Sequence, residues 1–264
     1  MTAGPRLARS ASTLCTPLGE LAELEFRLGD WAAAYESALE ALGSARAAAL
    51  PREVMGGLVR VALIEAGLGD EQACRSHAAE ALHLASRLID PPAEALAGEA
   101  LGLLELGLGR VDAAIEQLES AGRICREHPR AGTQALAWPS DLAEARLRRG
   151  DRLGARRALG EVEWGVRRRP GSFALVAASE RSRAMLAAEH AYTRLFSRAL
   201  EWSGWSRQPF ELARTELCYG ERLRRIGRRP EAREHLAVAL DTFAELGARP
   251  WAQRASSELA AVEE

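Results

Sequence analysis

The sequence predicts an all-α fold, a right-handed α-solenoid of about six helix pairs closed by a C-terminal capping helix. Three observations carry this reading. A short glycine turn recurs with a period near 40 residues. Small residues recur at fixed offsets from each turn glycine. Leucines at helical spacing fill the stretches between them.

The turns are Leu28-Gly29-Asp30, Leu68-Gly69-Asp70, Leu108-Gly109-Arg110, Arg149-Gly150-Asp151 and Ile226-Gly227-Arg228. Their glycines lie 40, 40, 41 and 77 residues apart. The last gap is about two periods, so a degenerate repeat is expected near residues 187–200. Ala188-Glu189-His190 and the following Phe196–Leu200 fill that place. A helix ends at each turn, and glycine takes the left-handed conformation there without a side-chain penalty. Asp30, Asp70 and Asp151 are placed to cap the next helix, whereas Arg110 and Arg228 are not.

Seven residues before each glycine stand Ala22, Ala62, Gly102, Ala143 and Gly220. Five after it stand Ala34, Cys74, Ala114, Ala155 and Ala232, and twelve after it Ala41, Ala81, Ala121, Val162 and Ala239. Small side chains let two helices approach closely, so each repeat reads as a tight antiparallel pair. Together these offsets resemble the tetratricopeptide repeat, with a period longer than that family's usual one. Longer helices or longer links are therefore expected. Asp90-Pro91-Pro92, His128-Pro129, Arg169-Pro170-Gly171 and Gln208-Pro209 suit links, because proline disfavours helix in the residue before it.

The organisation expected is a disordered or partly helical lead-in over 1–14 and a repeat array over 15–247. The array divides near 15–54, 55–94, 95–135, 136–172, 173–212 and 213–247. A capping helix over 248–264 follows, with Trp251, Ala255 and Leu259 on one face.

A narrower resemblance lies in the run Pro209–Arg225 (PFELARTELCYGERLRR) and its continuation Glu231–Leu236, Asp241–Ala248 and Pro250-Trp251. Leu101–Arg110 (LGLLELGLGR) and Cys125–His128 fit with it. These segments resemble the repeat region of large ATP-binding transcriptional regulators of the LuxR family. That resemblance implies a bacterial sensor module that receives an inducer or partner protein. The flanking ATPase and helix-turn-helix domains of such regulators are not expected within these residues. The chain is therefore read as an excised region or a product without them.

Composition narrows the chemistry. All 35 basic residues are arginine, and without lysine there is no Walker-type phosphate loop and no Schiff base. A net charge of -2 gives no whole-chain reason for nucleic-acid binding, and none is expected. Cys15, Cys74, Cys125 and Cys218 form no CxxC pair and read as reduced thiols of a cytoplasmic protein. No apolar run reaches membrane-spanning length. The histidines form no HExxH, and His77 and His83 point to different sides of one helix. Glu231 and His235 read as a solvated i,i+4 contact. Arg167-Arg168-Arg169 reads as a solvated helix end or a contact for an acidic partner. No catalytic, cofactor or metal residues are expected, and the chain is read as a non-enzyme.

Binding is expected along the first helices, at positions three and six before each turn glycine. The candidates are Glu23, Phe26, Leu63, Leu103, Leu106, Glu144, Leu147, Glu221 and Arg224, with Trp138 and Trp164 lining the groove or filling gaps. An apolar middle with charged ends suits a protein or peptide partner, or a small effector. A stand-alone scaffold or homodimer, or a ligand carrier or enzyme recruited onto the fold, are the competing readings.

Overall fold

The computed structural model describes residues 4–128 and 137–263, with side chains over 16–128 and 137–262. These residues form thirteen α-helices and no strand. Six antiparallel pairs follow one another: α1 (Gly4–Leu28) with α2 (Trp31–Ala47), α3 (Pro51–Leu68) with α4 (Glu71–Leu88), and α5 (Pro91–Gly107) with α6 (Val111–Glu127). Then come α7 (Trp138–Arg148) with α8 (Arg152–Arg168), α9 (Phe173–Leu186) with α10 (Tyr192–Ser206), and α11 (Pro209–Arg225) with α12 (Arg229–Glu245). The final helix, α13, spans Arg249–Glu263. The lead-in is helical from Gly4, because α1 starts there.

The chain divides into two compact units. One holds α1–α4 with residues 91–104 of α5 and 116–127 of α6; the other holds residues 105–115 with α7–α13.

The long period comes from the helices. α2 and α5 have 17 residues, α3 and α4 have 18, and the turns between them are short. The prolines expected in long links instead open helices: Pro91 starts α5 and Pro209 starts α11. A proline in the first helical turn gives up an N–H that has no partner there anyway. Arg169–Ser172 is a true link, and the His128-Pro129 link falls partly outside the described residues.

Each expected turn glycine has a positive φ, from 76° at Gly69 to 93° at Gly29. The following N–H closes the helix end: Asp30 donates to the Glu25 carbonyl at 3.0 Å, Asp70 to Glu65 at 2.9 Å and Arg228 to Leu223 at 3.0 Å. Gly247 forms a further turn of this kind before α13. Asp30, Asp70 and Asp151 accept from Ala33, Ala73 and Gly154 at 3.2, 3.4 and 2.8 Å, so all three cap their helices. The degenerate repeat turns over Ala187–Ala191, between α9 and α10. Three turns between pairs use Ala49, Ile89 and Arg207 at φ near 50°, a conformation that carries a penalty for residues with a Cβ.

The recurring small positions are all buried. At Gly102 an added Cβ would stand 2.5 Å from Leu118, and at Gly220 it would stand 2.6 Å from Leu236. No methyl group fits at either place. In the first unit Ala34, Ala38, Leu42, Leu58, Val61 and Ile64 form one core. Trp31 is anchored beside it, its indole N–H donating to the Phe26 carbonyl at 2.9 Å.

Gly102→Leu should therefore lower stability by about 1–3 kcal/mol or more through overpacking. Glu116→Ala, at an exposed site, should stay within roughly 0.5 kcal/mol of wild type. Thermal melts of the two variants check this, and equal melting temperatures would refute the register.

Candidate functional site

In the second unit the first helices α7, α9, α11 and α13 bring a set of charged side chains together out of water. Residues 138–145 of α7 are all buried, so this short helix has no solvated face over two turns. Asp141 and Glu144 are carried there, one turn apart on the same side. α11 supplies Glu211, Arg214 and Glu221, α9 supplies Arg181, and α13 supplies Trp251 and Arg254.

Arg214 is the centre. Its side chain is 1% exposed and forms ion pairs of 2.7 Å with Asp141, 2.7 Å with Glu144 and 3.2 Å with Glu211. Arg181 pairs with the other Glu211 oxygen at 2.7 Å and donates to the Glu211 carbonyl at 3.2 Å. Arg254 spans 110 residues of sequence to donate to Glu144 at 2.6 Å, and its Nε donates to Glu221 at 2.7 Å. Arg148 donates to the Leu106 carbonyl at 2.9 Å.

Trp251 sits in the same assembly with no exposed surface. Its ring meets Phe210 edge-on at 5.4 Å and Phe243 at 5.9 Å, and the Arg214 guanidinium lies 4.8 Å from its centroid. Gly107 makes room for the indole, since a Cβ there would come within 2.9 Å of the Trp251 Nε1. That Nε1 and the Nε atoms of Arg181 and Arg214 are buried without a hydrogen-bond partner.

The charges set one another's protonation. Burial pushes the Glu144 carboxyl up, but Arg214, Arg254 and Arg148 outweigh it and hold it well below the usual carboxylate range. Burial likewise opposes Glu211, and Arg181 and Arg214 bring it below its ordinary value. For Asp141, burial outweighs Arg214, and the neighbouring Glu211 and Glu144 add to it, so this carboxyl is raised. Burial pushes the Cys218 thiol up to about 12, with Glu144 and Glu221 adding to the shift. A thiol so held stays protonated at neutral pH and is a poor nucleophile.

The sequence-chosen positions fare unevenly. Glu144 and Glu221, both six before a turn glycine, do meet on Arg254. Arg224 pairs with Glu258 at 2.6 Å. Trp138 is buried and Leu147 half-buried, and Leu106 has no exposed surface. In the first unit Glu23 is exposed and paired with Arg27, Phe26 stacks on Trp31 at 4.8 Å, Leu63 is half-buried and Leu103 is buried. Leu103 and Leu106 therefore offer no open apolar floor, because their side chains are spent in packing. Trp164 fills no gap: it is 45% exposed, with Arg168 4.8 Å over its ring. His235 pairs with Glu216 of α11 rather than with Glu231, which Arg228 holds instead. His77 takes an interhelix role, its Nδ1 2.9 Å from the buried Glu65, which also accepts from the Tyr35 hydroxyl at 2.9 Å.

Asp141, Arg181, Glu211, Arg214 and Arg254 escape sequence reasoning. A signal existed in the paired Glu144 and Glu221 register, but nothing local says that α13 reaches α7.

No protein-family model matches the chain, and no curated protein matches it either. Solved structures do. A Rap protein complexed with competence and sporulation factor is similar at a TM-score of 0.62 and 12% identity, over 92% of this chain and 72% of that one. BtubC (BKLC) from P. vanneervenii is similar at a TM-score of 0.51 and 22% identity, over 100% of this chain and 93% of that one. At these identities the likeness establishes the fold: an all-α solenoid of tetratricopeptide-like helix pairs. Among the described residues no helix is long and apolar enough to cross a membrane.

Two outcomes follow from the charge assembly. Arg254→Met leaves Glu144 and Glu221 short of a partner in a buried place and should destabilise by about 3–5 kcal/mol in urea unfolding. Glu144 and Glu211 have depressed folded values, so their stabilisation is full above about pH 4.3 and is lost as pH falls below it. Asp141 has a raised folded value and acts in the opposite sense, which offsets part of the loss. Wild type should lose more stability between neutral and acid pH than Glu144→Gln does; parallel pH profiles would exclude Glu144 as a source.

Proposed function

We propose that this chain is a non-catalytic helical-repeat module that binds a protein partner or a small effector at its second unit. The desolvated charge assembly around Arg214 carries the reading. Buried ion pairs are weak devices for stability, since well-packed apolar residues of the same volume serve as well or better. They are effective for recognition, because each charge accepts only a partner of matching sign and geometry.

A structure of the same fold complexed with a factor, the Rap protein, supports a binding role by analogy of fold. The resemblance of Pro209–Arg225 and Asp241–Ala248 to LuxR-type regulators supports a more specific reading, the sensor region of a transcriptional regulator in the cytoplasm. In that role the module binds no nucleic acid itself.

An array of short peptides with free C-terminal carboxylates, probed with the labelled chain, tests this reading. Bound peptides are expected to bind at least about tenfold more weakly to Glu144→Gln and Arg254→Gln chains that keep the wild-type circular dichroism spectrum. An array with no binders, or binding indifferent to both substitutions, would overturn it.

A further inference from the structure

A cluster of aromatic side chains stands in solvent on the second unit, away from the charge assembly. Phe173, the first residue of α9, is 44% exposed, and Trp205, near the end of α10, is 65% exposed. Their ring centroids are 6.4 Å apart, and Trp202 lies 5.6 Å from Phe173. One short link back, Trp164 projects from the end of α8 with Arg168 over its ring. Three of the chain's six tryptophans therefore lie on α8 and α10, in a sequence with 5% aromatic residues. The surroundings are basic: apart from the buried Arg181 and Glu180, residues 152–208 hold ten arginines against four glutamates. Exposed Trp and Arg side by side have the composition of an interface centre, and isolated surface apolar residues do not cluster in this way.

A surface of opposite character lies on α1. Leu21, Leu24 and Leu28 are 43%, 54% and 51% exposed. Their spacing places them along one side of the helix. Glu20 and Glu23 are exposed beside them, and residues 16–47 hold six carboxylates against two arginines. Both surfaces are apolar at the centre, and their charges are complementary in sign.

We propose that the basic aromatic edge of α8–α10 docks the acidic leucine face of α1 on a second copy of this chain, so that copies associate head to tail. The interface is heterologous, and each copy carries one surface of each kind. Apolar burial supplies affinity, while the opposite charges steer encounter and make association sensitive to salt. This assembly is separate from peptide binding at the Arg214 assembly, and either can fail without the other.

Sedimentation velocity over a concentration series tests it. The wild-type chain should form oligomers that grow with concentration and weaken in high salt. Trp205→Glu and Leu24→Arg, both at exposed positions that should melt like wild type, should each weaken association at least about tenfold. Mixing the two variants is the decisive arm. Leu24→Arg keeps a working aromatic edge and Trp205→Glu keeps a working leucine face, so the mixture should form a 1:1 dimer that neither forms alone. A wild-type monomer at every concentration overturns the proposal and leaves the edge to a different protein. Oligomers that survive both substitutions, or a mixture that stays monomeric, overturn it as well.

Discussion

Close approach of paired helices is the constraint on which the rest of this structure depends. Five of the six pairs meet where a small side chain stands, seven residues before the turn glycine and five and twelve after it. At Gly102 and Gly220 the facing leucines, Leu118 and Leu236, already occupy the space a methyl group would need. Such contact leaves no slack along the helices, so the turn must close at one residue. The positive φ of Gly29, Gly69, Gly109, Gly150 and Gly227 serves that requirement. Helices of 17–18 residues then set the period, and proline at the helix starts shortens the links.

The same tight stacking explains why charges are buried in the second unit. α7 is only 11 residues long, yet every residue from Trp138 to Ala145 is inside. Side chains that would be solvated on an isolated pair are covered when α9, α11 and α13 come to rest beside it. Asp141, Glu144, Arg181, Arg214 and Arg254 therefore satisfy one another instead of water. Trp251 seals the group, with Gly107 giving it room and Phe210 and Phe243 flanking the ring. What separates this assembly from an ordinary packed core is that three arginines and four carboxylates meet in it.

Solvent-facing chemistry is unevenly distributed as well. The α8–α10 edge concentrates arginine and tryptophan, whereas the α1–α2 segment concentrates glutamate and leucine. In a chain with a net charge of only -2, this separation is invisible in the total and plain in the segments. Ile89 is a different kind of exception, a β-branched residue in a left-handed turn and 85% exposed; nothing in its contacts explains its choice.

Helix pairing, turn positions and caps were all legible from residue spacing, because they are local: a glycine, the residues within about twelve positions of it, and the period of one helix decide them. Even the register of Glu144 and Glu221 was legible. Ala49, Ile89 and Arg207 carry no turn signal in the sequence, since none has an intrinsic preference for a left-handed backbone. Pro91 and Pro209 mark boundaries but open helices, whereas Pro170 lies in a link, because a proline before a helix and one inside a loop look alike in sequence. What only the tertiary structure decided is which charges meet. Arg254 reaches Glu144 across 110 residues, and Arg214 reaches it across 70. Such pairs depend on how successive first helices stack and on the desolvation that follows, and no short-range pattern encodes either.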